Sequence, residues 1–443
     1  MLKRLTIAFF IVLGLFTNVL AIDAKRFVTD NGLVLLHAKR DNLPIVHIVL
    51  LIKVSPAQEP PEKAGLANLV AELLTEGTRT MSSEEIAEEV SFIGAELTSS
   101  QSRDYATLSL AVLKKHLPKA MEIFSEVLMY PSFKEEEIKR LKTIIKDSLK
   151  QSEQDPGFVA QKEFLQVLYG SHPYGRLIRG TPESIDRITR KDIVQFYKTF
   201  YRPNNSIMAV VGDISEDEVK ALYDKYLKAW APGEIPPEPE YEIPQLKEIR
   251  VITIDRDLTQ ANIVLGHLGI KRDNPDYYAI KVMNYILGGG GFASRLMSII
   301  RDQMGLAYDV HSFFTSNRYP GRFQVGLQTK NSSALTAISV IIQELEKIKT
   351  TPVSDEELQD AKAYLTGSFP RHIDTMAKIA RFLVQVEFYG LGLDYDKEYI
   401  RQINSVTKED VLRVAQKYIH DDAFLLVVVG KQKEIGQIKI GRN

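Results

Sequence analysis

Ile188-Thr189-Arg190-Lys191-Asp192-Ile193, followed shortly by Ser206-Ile207-Met208-Ala209-Val210-Val211-Gly212, has a second copy later in the chain. The copy reads Val406-Thr407-Lys408-Glu409-Asp410-Val411, then Phe424-Leu425-Leu426-Val427-Val428-Val429-Gly430. Thr407 follows Thr189 by 218 residues, and Gly430 follows Gly212 by the same distance. A gapless match over such a span points to a duplicated unit. Each copy reads as a threonine N-cap, an acidic first turn, an amphipathic helix, a short loop and a buried apolar strand ended by glycine.

Between the copies lies Ala231-Pro232-Gly233-Glu234-Ile235-Pro236-Pro237-Glu238-Pro239-Glu240, continuing to Pro244. So many prolines cannot sit in a helix interior or a central strand, and they predict a stiff, extended linker. The expected division is an N-terminal half over 22–230, a linker over 231–248 and a C-terminal half over 249–443. Candidate strands run over 34–37, 45–54, 105–112, 249–254, 261–268 and 323–329. Candidate helices run over 64–75, 83–93, 117–129, 134–151 and 189–199. Strands occur in adjacent runs as well as singly between helices. That pattern predicts an α+β fold of two homologous halves, each a largely antiparallel sheet covered by helices.

The formal net charge is −1 over 443 residues, so no nucleic acid or other polyanion is implied as a partner. There is no cysteine, and stability cannot depend on disulfides. Lys3 and Arg4 precede an apolar run from Leu5 to Phe16, and Val19-Leu20-Ala21 offers small residues for cleavage after Ala21. Residues 1–21 therefore read as a signal peptide, and the chain as exported, with the periplasm as the expected compartment. A retained segment would instead tether the chain to a membrane.

Gly65-Leu66-Ala67-Asn68-Leu69-Val70-Ala71-Glu72-Leu73-Leu74 reads as an apolar helix with Asn68 and Glu72 four apart on one face. It resembles the zinc helix of the pitrilysin and mitochondrial-processing-peptidase family, which carries H-x-x-E-H there. Asn68, Ala71 and Glu72 stand at the two histidines and the general base. The family's third ligand would fall at about Ser148, before Asp155-Pro156. An amide, an alanine, one carboxylate and a serine make a poor zinc set. No metal or other cofactor is expected in this chain, and Glu72 is expected on a solvated face. The eight histidines are scattered, with no pair at helical ligand spacing.

The resemblance extends over nearly the whole mature chain. His172-Pro173-Tyr174-Gly175-Arg176, Gly180-Thr181-Pro182-Glu183-Ser184-Ile185 and Tyr201-Arg202-Pro203-Asn204-Asn205 match the family's first half. Leu287 to Leu296 and Arg301-Asp302-Gln303-Met304-Gly305-Leu306-Ala307-Tyr308 match its second half. Gly288 to Gly291 lack the Lys-Ser/Thr of a phosphate loop and read as a tight turn, with Gly289 and Gly290 giving backbone room to an approaching peptide.

The resemblance implies a division of labour. Small members of the family work as two chains or two repeats around a chamber, one bearing zinc and the other an arginine and a tyrosine seven residues apart. Arg301 and Tyr308 have that spacing. Residues 294–304 read as a helix stopped by Gly305, and 306–314 as a strand, so both side chains would meet at one corner. There they could donate hydrogen bonds to a peptide carbonyl and to the oxyanion formed on water attack. The expectation is a zinc-free subunit that binds extended peptide and serves a homologous partner with an intact H-x-x-E-H. The alternative is an inactive homodimeric peptide-binding or structural protein of the same fold.

Overall fold

The computed structural model describes residues 22–440, so the expected signal peptide lies outside the described residues. Two sheets form the frame. The first contains β1 (Lys25–Val28), β2 (Val34–Lys39), β3 (Ile45–Ile52), β4 (Glu96–Gln101), β5 (Ala106–Leu113) and β6 (Ser206–Gly212). Its order is β1-β2-β6-β3-β5-β4.

Beyond the extended 231–247 stretch come β7 (Arg250–Asp255), β8 (Gln260–Leu268), β9 (Ile270–Lys271), β10 (Ala307–Phe314), β11 (Ser316–Asn317), β12 (Arg322–Lys330) and β13 (Leu425–Gly430). The second sheet has the order β10-β12-β8-β13-β7, while β9 and β11 form a short ladder of their own. The two sheets share one topology. β2-β6-β3-β5-β4 corresponds to β7-β13-β8-β12-β10, and the parallel pair falls at the same place in each, β2 with β6 and β7 with β13. The remaining pairings within both sheets are antiparallel.

The repeated sequence builds the repeated unit. Thr189 and Thr407 cap the Arg190–Phe200 and Lys408–Tyr418 helices, their hydroxyls accepting from the Asp192 and Asp410 nitrogens. The two carboxylates accept in return from the threonine nitrogens, at 2.8 and 3.1 Å. Each cap thus satisfies two helix-start donors that would otherwise lack partners. Every residue of the following strands β6 and β13 is buried. Strands covered on both faces need continuous apolar runs rather than alternation, which is what both copies carry.

That double cover comes from an exchange. The Pro156–Tyr169 helix of the first half packs on β8 and β13 of the second. Phe164, Leu165, Leu168 and Tyr169 bury there against Val264, Leu425, Val427 and Val429. The Met376–Phe388 helix of the second half packs on β3 and β6 of the first. It sets Ile379, Ala380 and Leu383 in one cluster with Val49, Leu51, Ile207 and Ala209. Pro156 and Met376 are 220 residues apart, close to the repeat length, so the exchange is reciprocal.

Polar contacts lock the same junction. Buried Asp104 accepts from the Tyr389 hydroxyl at 2.8 Å, from the Arg318 nitrogen at 3.1 Å and from the Tyr174 hydroxyl. Tyr174 belongs to the His172-Pro173-Tyr174 segment, whose imidazole lies among Tyr169, Tyr241 and Tyr319. The linker is tied down here too: Glu238 accepts from the Tyr319 hydroxyl at 2.9 Å and pairs with Arg318. Among the described residues no helix is long and apolar enough to cross a membrane.

Tyr389→Phe should remove one hydrogen bond to the buried carboxylate and destabilise the chain by about 1.5–3 kcal/mol, measured by urea unfolding. An unchanged midpoint would remove Asp104 from the list of couplings between the halves. Acid should also destabilise. Burial, then the nearby Arg176 and Arg103, hold the His172 imidazole down to about 4, and burial holds His267 down to about 3. Below the ordinary histidine value of about 6.5 the unfolded chain takes up protons that the folded chain refuses. Stability present above that value should therefore fall as pH drops from 6.5 toward 4, as read from urea midpoints across that window.

Candidate functional site

The degenerate helix is Leu66–Leu73, and two glycines fix its surroundings. Gly65 and Gly180 both have positive φ, +98° and +74°. A Cβ on Gly65 would lie 2.7 Å from the Arg179 carbonyl oxygen, and one on Gly180 would lie 2.1 Å from that of Ala64. The Arg179–Gly180 segment is thereby pressed against the start of the helix. Below it, buried Glu59 accepts from the nitrogens of Gly65 and Ala67 at 3.1 and 3.0 Å. Burial pushes its carboxyl up to about 8 against the opposing pull of those N–H groups.

Asn68 Nδ2 donates to Glu72 Oε1 at 3.0 Å, and Ala71 lies wholly in the apolar core. Arg179 Nη2 is 3.7 Å from Glu72 Oε1, and its Nη1 donates to Ser148 Oγ at 3.4 Å. Asn68, Glu72 and Ser148 lie near one another, and a half-exposed guanidinium borders them. Glu72, expected on a solvated face, is instead half-buried, bonded to Asn68 and paired with Arg179. A zinc ion needs deprotonated N, S or O donors and tolerates no fixed cation in their midst. These residues do not fit zinc. Among the described residues no three His, Cys, Asp or Glu side chains are grouped so as to hold a metal ion. Arg179 was not among the candidate residues, although it directly precedes the Gly180-Thr181-Pro182 segment that was.

The second candidate cluster lies at β10, the edge strand of the second sheet. Arg301 sits in a wide π-type turn over Ser298–Gln303, a helical distortion frequent at functional sites. Gly305, with φ +60°, turns the chain toward β10. Ala307 pairs with Thr329 and Val310 with Leu327, so Tyr308 and Asp309 together oppose Gln328 in a β-bulge. The bulge throws Tyr308 outward, leaving it 87% exposed.

The Arg301 guanidinium carbon lies 5.5 Å from the centre of the Tyr308 ring and 4.7 Å from that of Phe292. Its Nη1 donates to Asp302 at 2.8 Å, one of five N–H donors on the group. Arg301, Asp302 and Tyr308 border a cavity of about 860 Å³, walled also by Gly157 and Ala160 of the exchanged helix. Asp309 and His311, paired at 2.8 Å, share it. Their i,i+2 spacing on a strand was the available signal for the pair. Gly289 and Gly290 make room for the chain itself. A Cβ on either would strike Asn284 at 2.5 Å or Tyr285 at 2.8 Å.

A two-repeat frame whose residues do not fit zinc where the resemblance would expect it defines the class. Comparison with known proteins supplies the family. Residues 34–182 match the family described as Insulinase (Peptidase family M16), and residues 187–365 match Peptidase M16 inactive domain. The chain belongs to peptidase family M16. It is 26% identical to an uncharacterized zinc protease YmxG of Bacillus subtilis over 91% of this chain and 98% of that protein. It is also 26% identical to a non-peptidase homolog YmxG of Helicobacter pylori, over 88% of this chain and 90% of the relative. A crystal structure of a peptidase M16 inactive domain from Pseudomonas fluorescens superposes with a TM-score of 0.87 and 29% identity, covering 93% of this chain and 99% of that one. Its own residues place this chain with the catalytically inactive members of the family.

Replacing Asn68 and Glu72 with His and Ser148 with Glu should create a three-ligand zinc site. Adding Arg179→Ala should tighten it by at least about tenfold, since two unit charges 4 Å apart near a surface interact by about 4 kcal/mol. Competition with a zinc-binding dye would measure both. Equal affinity with and without Arg179 would mean that the guanidinium does not occupy the metal position.

Proposed function

We propose that this chain is the zinc-free subunit of an exported, two-chain metalloendopeptidase. Extended peptide adds as a strand to the free edge of a sheet, with main-chain hydrogen bonds giving affinity and side-chain pockets giving preference. A homologous partner with an intact H-x-x-E-H supplies the zinc and the general base. Arg301 and Tyr308 donate to the substrate carbonyl and to the oxyanion that forms when metal-activated water attacks it. The single observation that carries this reading is their shared corner. A guanidinium and a phenol stand side by side, one in a π-type turn and the other on a bulge, at the mouth of an open cavity.

A second reading, an inactive homodimeric peptide-binding or structural protein, draws on Arg179. The guanidinium gives the emptied metal site a stable filling of its own. Under either reading no nucleic acid is bound, and a membrane is involved only if residues 1–21 are retained.

The test is reconstitution with a zinc-bearing homologue from the same source. Arg301→Ala and Tyr308→Phe should each lower kcat of the complex by roughly 10²–10³, the usual effect of losing one oxyanion donor. Tyr308→Phe should leave melting unchanged, because Tyr308 is exposed. Wild-type turnover by both variants would refute the assigned roles. Purification of a homodimer alone from the native source would favour the second reading.

A further inference from the structure

Ile22 is the first described residue, and it is anchored. Its side chain is 8% exposed and belongs to the core cluster that contains the exchanged Met376–Phe388 helix. Its backbone nitrogen donates to Asp396 Oδ2 at 3.2 Å. Asp396 stands in the first turn of the Tyr395–Ser405 helix and is 3% exposed. Among the described residues no lysine, arginine or histidine forms an ion pair with this carboxylate. Beyond the partial positive charge of the helix start on which it stands, this buried carboxylate meets only a neutral backbone amide among the described residues, and burial penalises a charge that lacks a full opposite partner.

The sequence supplies the missing cation. Val19-Leu20-Ala21 ends the segment that reads as a signal peptide, and cleavage after Ala21 would begin the mature chain at Ile22. Signal peptidase hydrolysis adds one water across the Ala21–Ile22 bond. The oxygen stays on the Ala21 carbonyl carbon as a carboxylate, and the nitrogen stays on Ile22, taking up protons to become an ammonium. The geometry points to Ile22 as the mature N-terminus, with its new α-ammonium buried in an ion pair with Asp396.

Processing then does more than release the chain. It changes a neutral donor into a charged one at a distance already within hydrogen-bond range, and charge-assisted bonds are roughly twice as strong as neutral ones. The Ile22 side chain in the core sets the register, since a terminus one residue longer would carry its charge past Asp396. The stable form of the fold is therefore the processed form. This inference rests on the export reading of residues 1–21 and makes no use of Arg301 or Tyr308, so the two can fail separately.

The precursor should be produced with its own leader in an exporting bacterium and the periplasmic product analysed by N-terminal sequencing and intact mass. The expected first residue is Ile22. A second measurement treats the native product with an amine-reactive acetylating reagent. The α-amine should resist until urea unfolds the chain, while surface lysines react at once. A third compares insertion of one glycine between Ala21 and Ile22, Asp396→Asn, and the two together. Each single change should lower the melting temperature by several degrees, and the pair should lower it no further than the worse single change, because both break one contact. A different N-terminus, an α-amine as reactive as the lysines, or melting shifts that add would each overturn the proposal. The first two readouts use the unaltered chain and stand even if Asp396→Asn fails to fold.

Discussion

The Pro156–Tyr169 helix lies on β8 and β13, and the Met376–Phe388 helix lies on β3 and β6, so each half covers the open face of the other's sheet. Each buried Leu, Ile, Val or Phe contributes about 1.5–3 kcal/mol by leaving water, an upper estimate when set against an extended chain. Phe164, Leu165 and Leu168 alone outweigh the exposed Arg26–Glu387 pair that spans the same junction. Surface pairs of that kind contribute about 0–1 kcal/mol. The coupling between halves is therefore mainly apolar. Asp104 and its three donors add direction to it, because they bond in only one alignment. Neither sheet could keep its all-buried central strand without the other half's helix.

That constraint also shapes both sites. The first turn of the Pro156–Tyr169 helix walls the cavity at Tyr308, so residues from the first half face a cluster carried by the second. Asp155 caps this helix and Ser148 lies just upstream of it, so the route into the exchange passes the position that the resemblance sets against the family's third ligand. Asn68 and Glu72 still share a helix face, Ala71 has joined the core, and Arg179 brings a charge opposite to Glu72. A lone half-buried carboxylate would be poorly solvated. An arginine beside it relieves that without any metal.

Much of this was legible in the chain itself. The Thr189 and Thr407 caps, the all-apolar strands at 206–212 and 425–430 and the proline-rich stretch are local signals whose physics needs no tertiary context. The convergence of Arg301 and Tyr308 was readable from a helix stop at Gly305 followed by a strand. The exchange was not legible. Residues 156–169 form an ordinary amphipathic helix, and nothing within them says which sheet they cover. Arg179 escaped for the same reason, since its role depends on Gly65 and Gly180 meeting back to back across more than a hundred residues. The bulge left a faint trace. Ala307 and Val310 are buried with exposed Tyr308 and Asp309 between them, a spacing that breaks the two-residue period of a regular strand.

The two clusters differ in what folding requires of them. The residues around Arg179, a half-exposed guanidinium beside a half-buried carboxylate, make a polar set that stability alone can account for. The cluster at β10 has no such account. Tyr308 at 87% exposure and the neighbouring Phe292 at 70% bury almost nothing, and an edge strand that presents an aromatic ring to solvent invites unwanted pairing. The π-type turn and the bulge both depart from the lowest-energy backbone, and both act to point Arg301 and Tyr308 into one space. Their presence beside an open sheet edge is what the proposed divided active site would use, and burial alone does not account for it.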